Sequence, residues 1–405
     1  MQVYRRMSCL TALALKYCAC CLLALLLGCA STVSGASESR GIADTHLLKT
    51  ASTGPKSTCA NSSTEAKILC VYLDWSDAAT RIDLFQIVSA DGGTTWSVPV
   101  AITKNPGDEY DPFINYDAVH KKFWLIYAKW HNDRGGQHND VVARSKDCVD
   151  CTWSEAVVVA GDGVNDYWVP SILALQNGNV LALYTKNGPE SSFGVGSGTI
   201  EVKRSADAGA SWSAPAIPTK DCDVEYARAV QNAGGSVLLV FGRYVDSSHL
   251  PKGTRCADGM SGKYPYTDIH QVWSPDGGVT WKGESVLYHG ASGSALHPFV
   301  AAEQATPQER CSKCRWDLFF VQSAGGSFSV FRMQSSDQGT SWSQPTRFSD
   351  IGWPSPFNID PGFVYGCKGL TANYTSGYGS DKVYVQADPA ATGTPTGSCK
   401  PSGTK

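Results

Sequence analysis

No run of basic residues interrupts this chain, and its formal net charge is only −3 over 405 residues. The electrostatic footprint of a nucleic-acid-binding surface is therefore missing, and no nucleic-acid partner is expected. Long apolar runs are also scarce. The apolar stretch from Cys18 to Leu27 is too short for a typical membrane span. With Arg5 and Arg6 ahead of it, it reads as the centre of an export signal covering residues 1–36. Two processing patterns lie within it. Leu26-Leu-Gly-Cys29 resembles a bacterial lipoprotein site, which would leave a lipid on Cys29, and Ser34-Gly-Ala36 suits an ordinary signal peptidase. The protein is accordingly expected to be secreted, or held at a bacterial cell surface by lipid alone.

What the chain has in quantity is glycine and tryptophan, 40 and 12 residues, a composition that suits many short strands and turns. Five copies of one phrase organise them. They are Ser89-Ala-Asp91-Gly-Gly93-Thr-Thr-Trp96, Ser145-Lys-Asp147-Cys-Val-Asp-Cys-Thr-Trp153, Ser205-Ala-Asp207-Ala-Gly209-Ala-Ser-Trp212, Ser274-Pro-Asp276-Gly-Gly278-Val-Thr-Trp281 and Ser335-Ser-Asp337-Gln-Gly339-Thr-Ser-Trp342. The Asp-to-Asp steps of 56, 60, 69 and 61 residues define a repeat architecture. Ser and Asp side chains accept backbone N–H groups in tight turns, Gly supplies positive φ, and Trp packs beneath. Each phrase is a hairpin turn between two strands, and its Asp is structural.

Two further registers run through the chain. Glu109-Tyr-Asp-Pro112, Tyr167-Trp-Val-Pro170, Glu225-Tyr-Ala-Arg228, Ala295-Leu-His-Pro298 and Trp353-Pro-Ser-Pro356 open apolar strands at steps of 58, 58, 70 and 58. Tyr127-Ala-Lys129, Tyr184-Thr-Lys186 and Phe241-Gly-Arg243 close the next strand at steps of 57 and 57, and Phe320-Val-Gln322 fits one unit later. Each unit reads as inner strand, second strand, loop, third strand, Asp turn and outer strand, which is a propeller blade. The expectation is an all-β, six-bladed β-propeller of four-stranded antiparallel blades over 63–390. Residues 37–62 read as a linker or outer strand, and 391–405 as a C-terminal tail. The blades fall near 66–105, 109–160, 166–220, 224–290, 296–350 and 355–390.

Beyond the signal there are ten cysteines, an even count that suggests disulfides in an exported chain. Neighbours are expected to pair: Cys59–Cys70, Cys148–Cys151, Cys222–Cys256, Cys311–Cys314 and Cys367–Cys399. Asn61-Ser-Ser63 and Asn373-Tyr-Thr375 fit glycosylation sites of a eukaryotic secretory route.

The Asp turns lie on one face of such a propeller. The inner-strand starts and second-strand ends lie on the other, around the channel mouth, the default site. Glu109, Asp111, Glu225, Arg228 and His297 fall there with Tyr110, Trp168 and Tyr226. Lys129, Lys186 and Arg243 add three cations from adjacent blades, which favours an anionic ligand. The aromatic residues suit sugar-ring faces. No metal-ligand spacing is evident there, and neither a metal nor a cofactor is expected.

The turns and blade plan resemble the sialidase (neuraminidase) superfamily, whose Asp-box, or BNR, repeats decorate a six-bladed propeller. The resemblance covers nearly all of 66–390. It implies an exo-acting glycoside hydrolase that removes sialic acid or another acidic terminal sugar from a glycan or glycoconjugate, working as a monomer. It also implies a Tyr nucleophile activated by a Glu, an Asp acid/base and Arg residues on the sugar carboxylate. Glu225 and the strand ending at Arg243 look like the family's Glu strand. Tyr365, with Tyr374 and Tyr378 as rivals, looks like the nucleophile, and Asp77, ahead of Asp83, like the acid/base. The sequence departs from the family pattern in three places. Arg-Ile-Pro is missing early in the chain, Asp74 stands where an Arg ends the first blade's second strand, and no Arg closely follows Pro298. Lys129 and Lys186 replace charge but not the bidentate Arg fork. Two other readings share the fold: a propeller that binds extracellular glycan without turnover, and a polysaccharide lyase or arabinan-type hydrolase. For a neutral substrate, Glu109 or Asp111 would work with Glu225 as a conventional carboxylate pair.

Overall fold

The computed structural model describes residues 46–51, 57–62, 67–75, 81–91, 93, 95–104, 107–131, 138–188, 198–219, 224–245, 266–290, 295–302, 315–324, 327–349, 361–366, 369–376 and 381–387. All regular elements among them are strands. β1 (His46–Ala51) leads the chain. β2 (Ser57–Asn61), β3 (Ile68–Trp75), β4 (Ile82–Ser89) and β5 (Val100–Ala101) form the first sheet. The second holds β6 (Glu109–Asp117), β7 (Lys122–His131), β8 (His138–Lys146) and β9 (Val157–Ala160). The third holds β10 (Asp166–Ala174), β11 (Val180–Asn187) and β12 (Thr199–Ser205). β13 (Val224–Gln231), β14 (Val237–Val245), β15 (Tyr266–Ser274) and β16 (Lys282–Tyr288) make the fourth. β17 (Ala295–Ala302), β18 (Trp316–Ala324), β19 (Ser327–Ser335) and β20 (Thr346–Arg347) make the fifth. The sixth joins β21 (Pro361–Gly366), β22 (Gly369–Ser376) and β23 (Asp381–Ala387) to β1 at its outer edge.

Each sheet is antiparallel, and the inner strand of each lies against that of the next, with β21 returning to β2. Five sheets are complete four-stranded blades of a propeller. The expectation of six such blades fails at the third sheet, which has three strands. Where a fourth would run, only an isolated bridge joins Val202 to Ala216. Pro215 and Pro218 flank that bridge and remove the N–H donors a longer ladder needs.

The second strands are covered on both faces, and this is where the cores form. Along β14, Val237, Leu239 and Phe241 pack into a cluster with Leu181 and Leu183 of the third sheet. The alternate residues Leu238 and Val240 join Trp316, Leu318 and Phe320 of the fifth. The two-residue period of a strand thus divides one apolar run between two neighbours. β7 repeats the pattern: Leu125 and Tyr127 face the first sheet, and Trp124 and Ile126 the third.

Four of the Asp phrases form one hydrogen-bonded turn. In the third sheet Ser205 Oγ donates to Asp207 Oδ1 at 2.8 Å, and the Gly209 amide donates to Ser205 Oγ at 2.7 Å. Asp207 also accepts the Ser211 amide at 2.9 Å and the Ser211 hydroxyl at 2.5 Å. The Ser211 bonds, then that of Ser205, hold the Asp207 carboxyl down to about 2. The same bonds recur around Asp91, Asp276 and Asp337. Gly209 has a φ of 86°, and a Cβ there would strike the Trp124 ring of the preceding sheet. The turns of the third, fourth and fifth sheets therefore also dock each sheet on its neighbour, and Trp212, Trp281 and Trp342 pack into those same inter-sheet clusters.

The second-sheet copy is built differently. Asp147 pairs with Lys122 at 3.3 Å, and a Cys148–Cys151 disulfide closes the turn. Its Val149 is buried with Leu125 and Tyr127, and Gln86 of the first sheet accepts both Lys146 Nζ and Trp153 Nε1 at 2.9 Å. Cys59 and Cys70 are also bonded, across β2 and β3. Cys222, Cys256, Cys311, Cys314, Cys367 and Cys399 lie outside the described residues.

Candidate active site

The inner strands share an irregularity at the same level. Register slips between Tyr110 and Phe113, Trp168 and Ser171, Glu225 and Arg228, and Leu296 and Phe299. Within each slip one residue is left-handed: Asp111 at φ 52°, Val169 at 49°, Tyr226 at 57° and His297 at 51°. None is glycine, and for the β-branched Val169 such a φ is strongly disfavoured. These positions are structurally equivalent, which corrects the sequence register of the fourth sheet by one residue. Tyr226, not Ala227, matches Asp111, and Glu225 matches Tyr110 and Trp168. Ala227 thus falls where the other strands carry Pro112, Pro170 and Pro298.

The bulges tie the sheets together. Asp111 Oδ2 accepts the Val169 amide at 3.1 Å, and Ser171 Oγ donates to the Ala227 carbonyl at 2.7 Å. Arg228 donates to the same carbonyl at 2.9 Å, and its guanidinium stacks 4.8 Å over the Phe113 ring. Phe113 also meets Phe299 at 5.7 Å. Side chains of the second, fourth and fifth sheets therefore meet at one level and fill the middle of the ring there.

Nearer the strand starts, two aromatic pairs cross adjacent sheets: Tyr110 with Trp168 at 5.7 Å and Tyr226 with His297 at 4.1 Å. The first pair is held by two acids that the sequence reasoning missed. Asp108 accepts the Ile82 amide at 2.9 Å and the Tyr110 hydroxyl at 3.1 Å. Asp166 accepts the Asn139 amide at 2.8 Å and Trp168 Nε1 at 2.5 Å. Each acid at the head of an inner strand thus latches the third strand of the preceding sheet and fixes an aromatic tip. Their 58-residue step was visible in the sequence.

The three cations do occupy one register. Lys129 stands opposite Glu109, Lys186 opposite Tyr167 and Arg243 opposite Val224, with Gln322 opposite Ala295 in the fifth sheet. Two of them make an ion pair within their own sheet. Lys186 lies 3.8 Å from Glu201 on β12, and Arg243 donates to Glu284 on β16. Glu109 is fully buried, and its carboxyl reaches toward the first sheet, where Thr103 Oγ1 lies 3.1 Å from Oε2. Burial first, then the charge of Asp83, push it up to about 8.

Glu225 is half-buried in its bulge on β13. Tyr365 lies on β21 opposite Leu370, and Tyr374 on β22 opposite Pro361. Asp77 and Tyr378 lie outside the described residues. Among the described residues no group of three or more His, Cys, Asp or Glu is arranged to hold a metal ion.

A family profile described as the BNR repeat-like domain matches residues 125–349, more than half of the chain. The chain belongs to the BNR repeat-like domain family. Solved sialidases are among its structural neighbours. It is similar to a leech intramolecular trans-sialidase, with a TM-score of 0.57 and 12% identity over 83% of this chain and 68% of that one. NanB sialidase from Streptococcus pneumoniae gives 0.59 and 12% over 86% and 71%. An α-L-arabinanase from Penicillium chrysogenum gives 0.55 and 14% over 85% and 95%. At such identities the likeness establishes the fold alone. No curated protein sequence matches the chain.

Proposed function

We propose that this BNR repeat-like protein is an exported exo-glycoside hydrolase that removes sialic acid or another acidic terminal sugar from glycans. The observation that carries the reading is the run of four left-handed, non-glycine residues at one level of the ring, Asp111, Val169, Tyr226 and His297. Strain kept at equivalent places in successive sheets marks a shaped site, since each such residue costs stability. In this reading the third sheet, with its single outer bridge, counts as a sixth blade, residues 1–36 direct export, and 63–390 are the catalytic propeller. Tyr365 is the nucleophile, Glu225 its base and Asp77 the acid/base. Arg243, Lys129 and Lys186 face the anion. Asp111, Tyr110, Trp168, Tyr226, His297 and Arg228 shape the sugar pocket. The chemistry is sound: a phenol with a pKa of about 10 needs a carboxylate to take its proton, and a neutral nucleophile is not repelled by the sugar's own carboxylate.

The test is product release from a panel of sialosides and uronosides by the purified, oxidised protein. Glu225→Gln is expected to lower kcat by about 10²–10⁴-fold, and Tyr365→Phe at least as much. A second reading, glycan binding without turnover, draws on the Arg243–Glu284 and Lys186–Glu201 contacts, which neutralise two of the three cations. No release from any panel member, together with glycan binding that survives both substitutions, would establish that reading instead.

A further inference from the structure

One hydroxyl at the junction of the first two sheets has more to bond than it has hydrogens. Thr103 Oγ1 accepts the Leu84 amide at 2.9 Å, lies 3.2 Å from Asp83 Oδ1 and lies 3.1 Å from Glu109 Oε2. A hydroxyl carries a single hydrogen and two lone pairs. It can donate to only one of the two carboxyl groups, so the other must donate to it or face it as an oxygen-to-oxygen clash. Arg81 Nε lies 3.3 Å from Asp83 Oδ2, which keeps Asp83 as the ionised acceptor. Glu109 is the one left to donate. We infer that Glu109 keeps its proton in the folded protein and hydrogen-bonds through it to Thr103 Oγ1, whose own hydrogen goes to Asp83, so that two hydrogen bonds in series join the first and second sheets.

The surroundings agree. Glu109, Asp83 and Thr103 are 0%, 2% and 1% exposed. Glu109 Oε1 is buried and meets no hydrogen-bond donor, which a neutral carboxyl tolerates far better than a carboxylate. Burial and the Asp83 charge raise the Glu109 carboxyl, as described above. On β3, Asp74 stands opposite Asp83 and adds negative charge. From β7, Lys129 opposite Glu109 is the cation that favours ionisation, and Asp140 on β8 stands opposite Lys129 in turn. His131 and His138 lie 3.2 and 3.9 Å from Asp140. Asp108 is taken up by Ile82 and Tyr110.

The sign of the pH dependence follows. A carboxyl whose folded pKa is raised binds more protons folded than unfolded between the ordinary value of 4.5 and about 8. Its contribution is full at and below the lower limit, is lost as pH rises through that window, and stays lost above it. Glu109→Gln mimics the protonated acid and should match wild type near the lower limit and melt higher than wild type above the upper one. Other ionisable side chains lie nearby, so melting alone does not isolate Glu109. The deciding measurement is the infrared carbonyl stretch of a protonated carboxyl in the full chain at neutral pH. It should vanish on alkalinisation and be missing from Glu109→Gln. In Asp83→Asn, where the like charge is gone, it should vanish at lower pH. A wild-type spectrum without the band, or a band unchanged in Glu109→Gln, overturns the inference whether or not the protein hydrolyses any glycoside.

Discussion

Gly209 shows how much a single residue carries in this architecture. Its φ of 86° and its contact with Trp124 serve the turn of one sheet and the packing of the one before. Gly209→Ala adds left-handed strain and a clash with a rigid ring, and is expected to cost roughly 2–4 kcal/mol. Chemical denaturation, with the slope unchanged from wild type, checks this. At this scale the turn chemistry was readable from the sequence, because Ser, Asp and Gly act on backbone a few positions away. The state of Glu109 was not. Its partners Asp83 and Thr103 come from another sheet, and nothing local distinguishes a carboxyl facing solvent from one sealed in a seam. Asp108 and Asp166 fall between: their spacing was on view, but their bonds to Ile82 and Asn139 depend on how consecutive sheets lie together.

Among the elements, the second-sheet turn is the exception that tests the rule. Its disulfide spans three positions and takes the place of the Asp-centred network. Replacing Cys148 and Cys151 by Ser is expected to cost about 2 kcal/mol from the loop-closure term. The Lys67–Asp150 pair at 3.0 Å and the bonds to Gln86 should keep the turn docked, so the loss should appear in melting and not in the far-ultraviolet spectrum. The strands were legible because short apolar runs rich in β-branched and aromatic residues, bounded by turn signals, favour strands over helices. The one-residue slip in the fourth sheet was not. Glu109 and Glu225 look alike in sequence, yet pairing sets Val224, not Glu225, in the place of Glu109, opposite the second-strand cation. A bulge inserts its extra residue without any signature except the proline that follows in three of the four strands.

The whole molecule closes through β1. That strand pairs with β23 from Leu47 to Tyr384 and from Ala51 to Asp381, while β21 lies against β2. Removing residues 46–51 exposes the edge of β23 and should lower Tm, with limited proteolysis cutting first in β21–β23. If instead β13–β16 are cut first, the sixth sheet does not depend on β1 in this way. The repeat period foretold sheets around a centre. It did not foretell which distant segments share a sheet, since β1 carries no turn phrase to mark its membership.

Because β1 and β23 come from opposite ends of the described chain, β1 has no mate until every other described strand has been made. Early sheets can condense as they leave the ribosome, but the sixth sheet is complete only once β23 arrives. A product halted before β23 would leave β1 and β22 without the strand that lies between them, so their pairing acts as a check that the chain from β1 to β23 has been made.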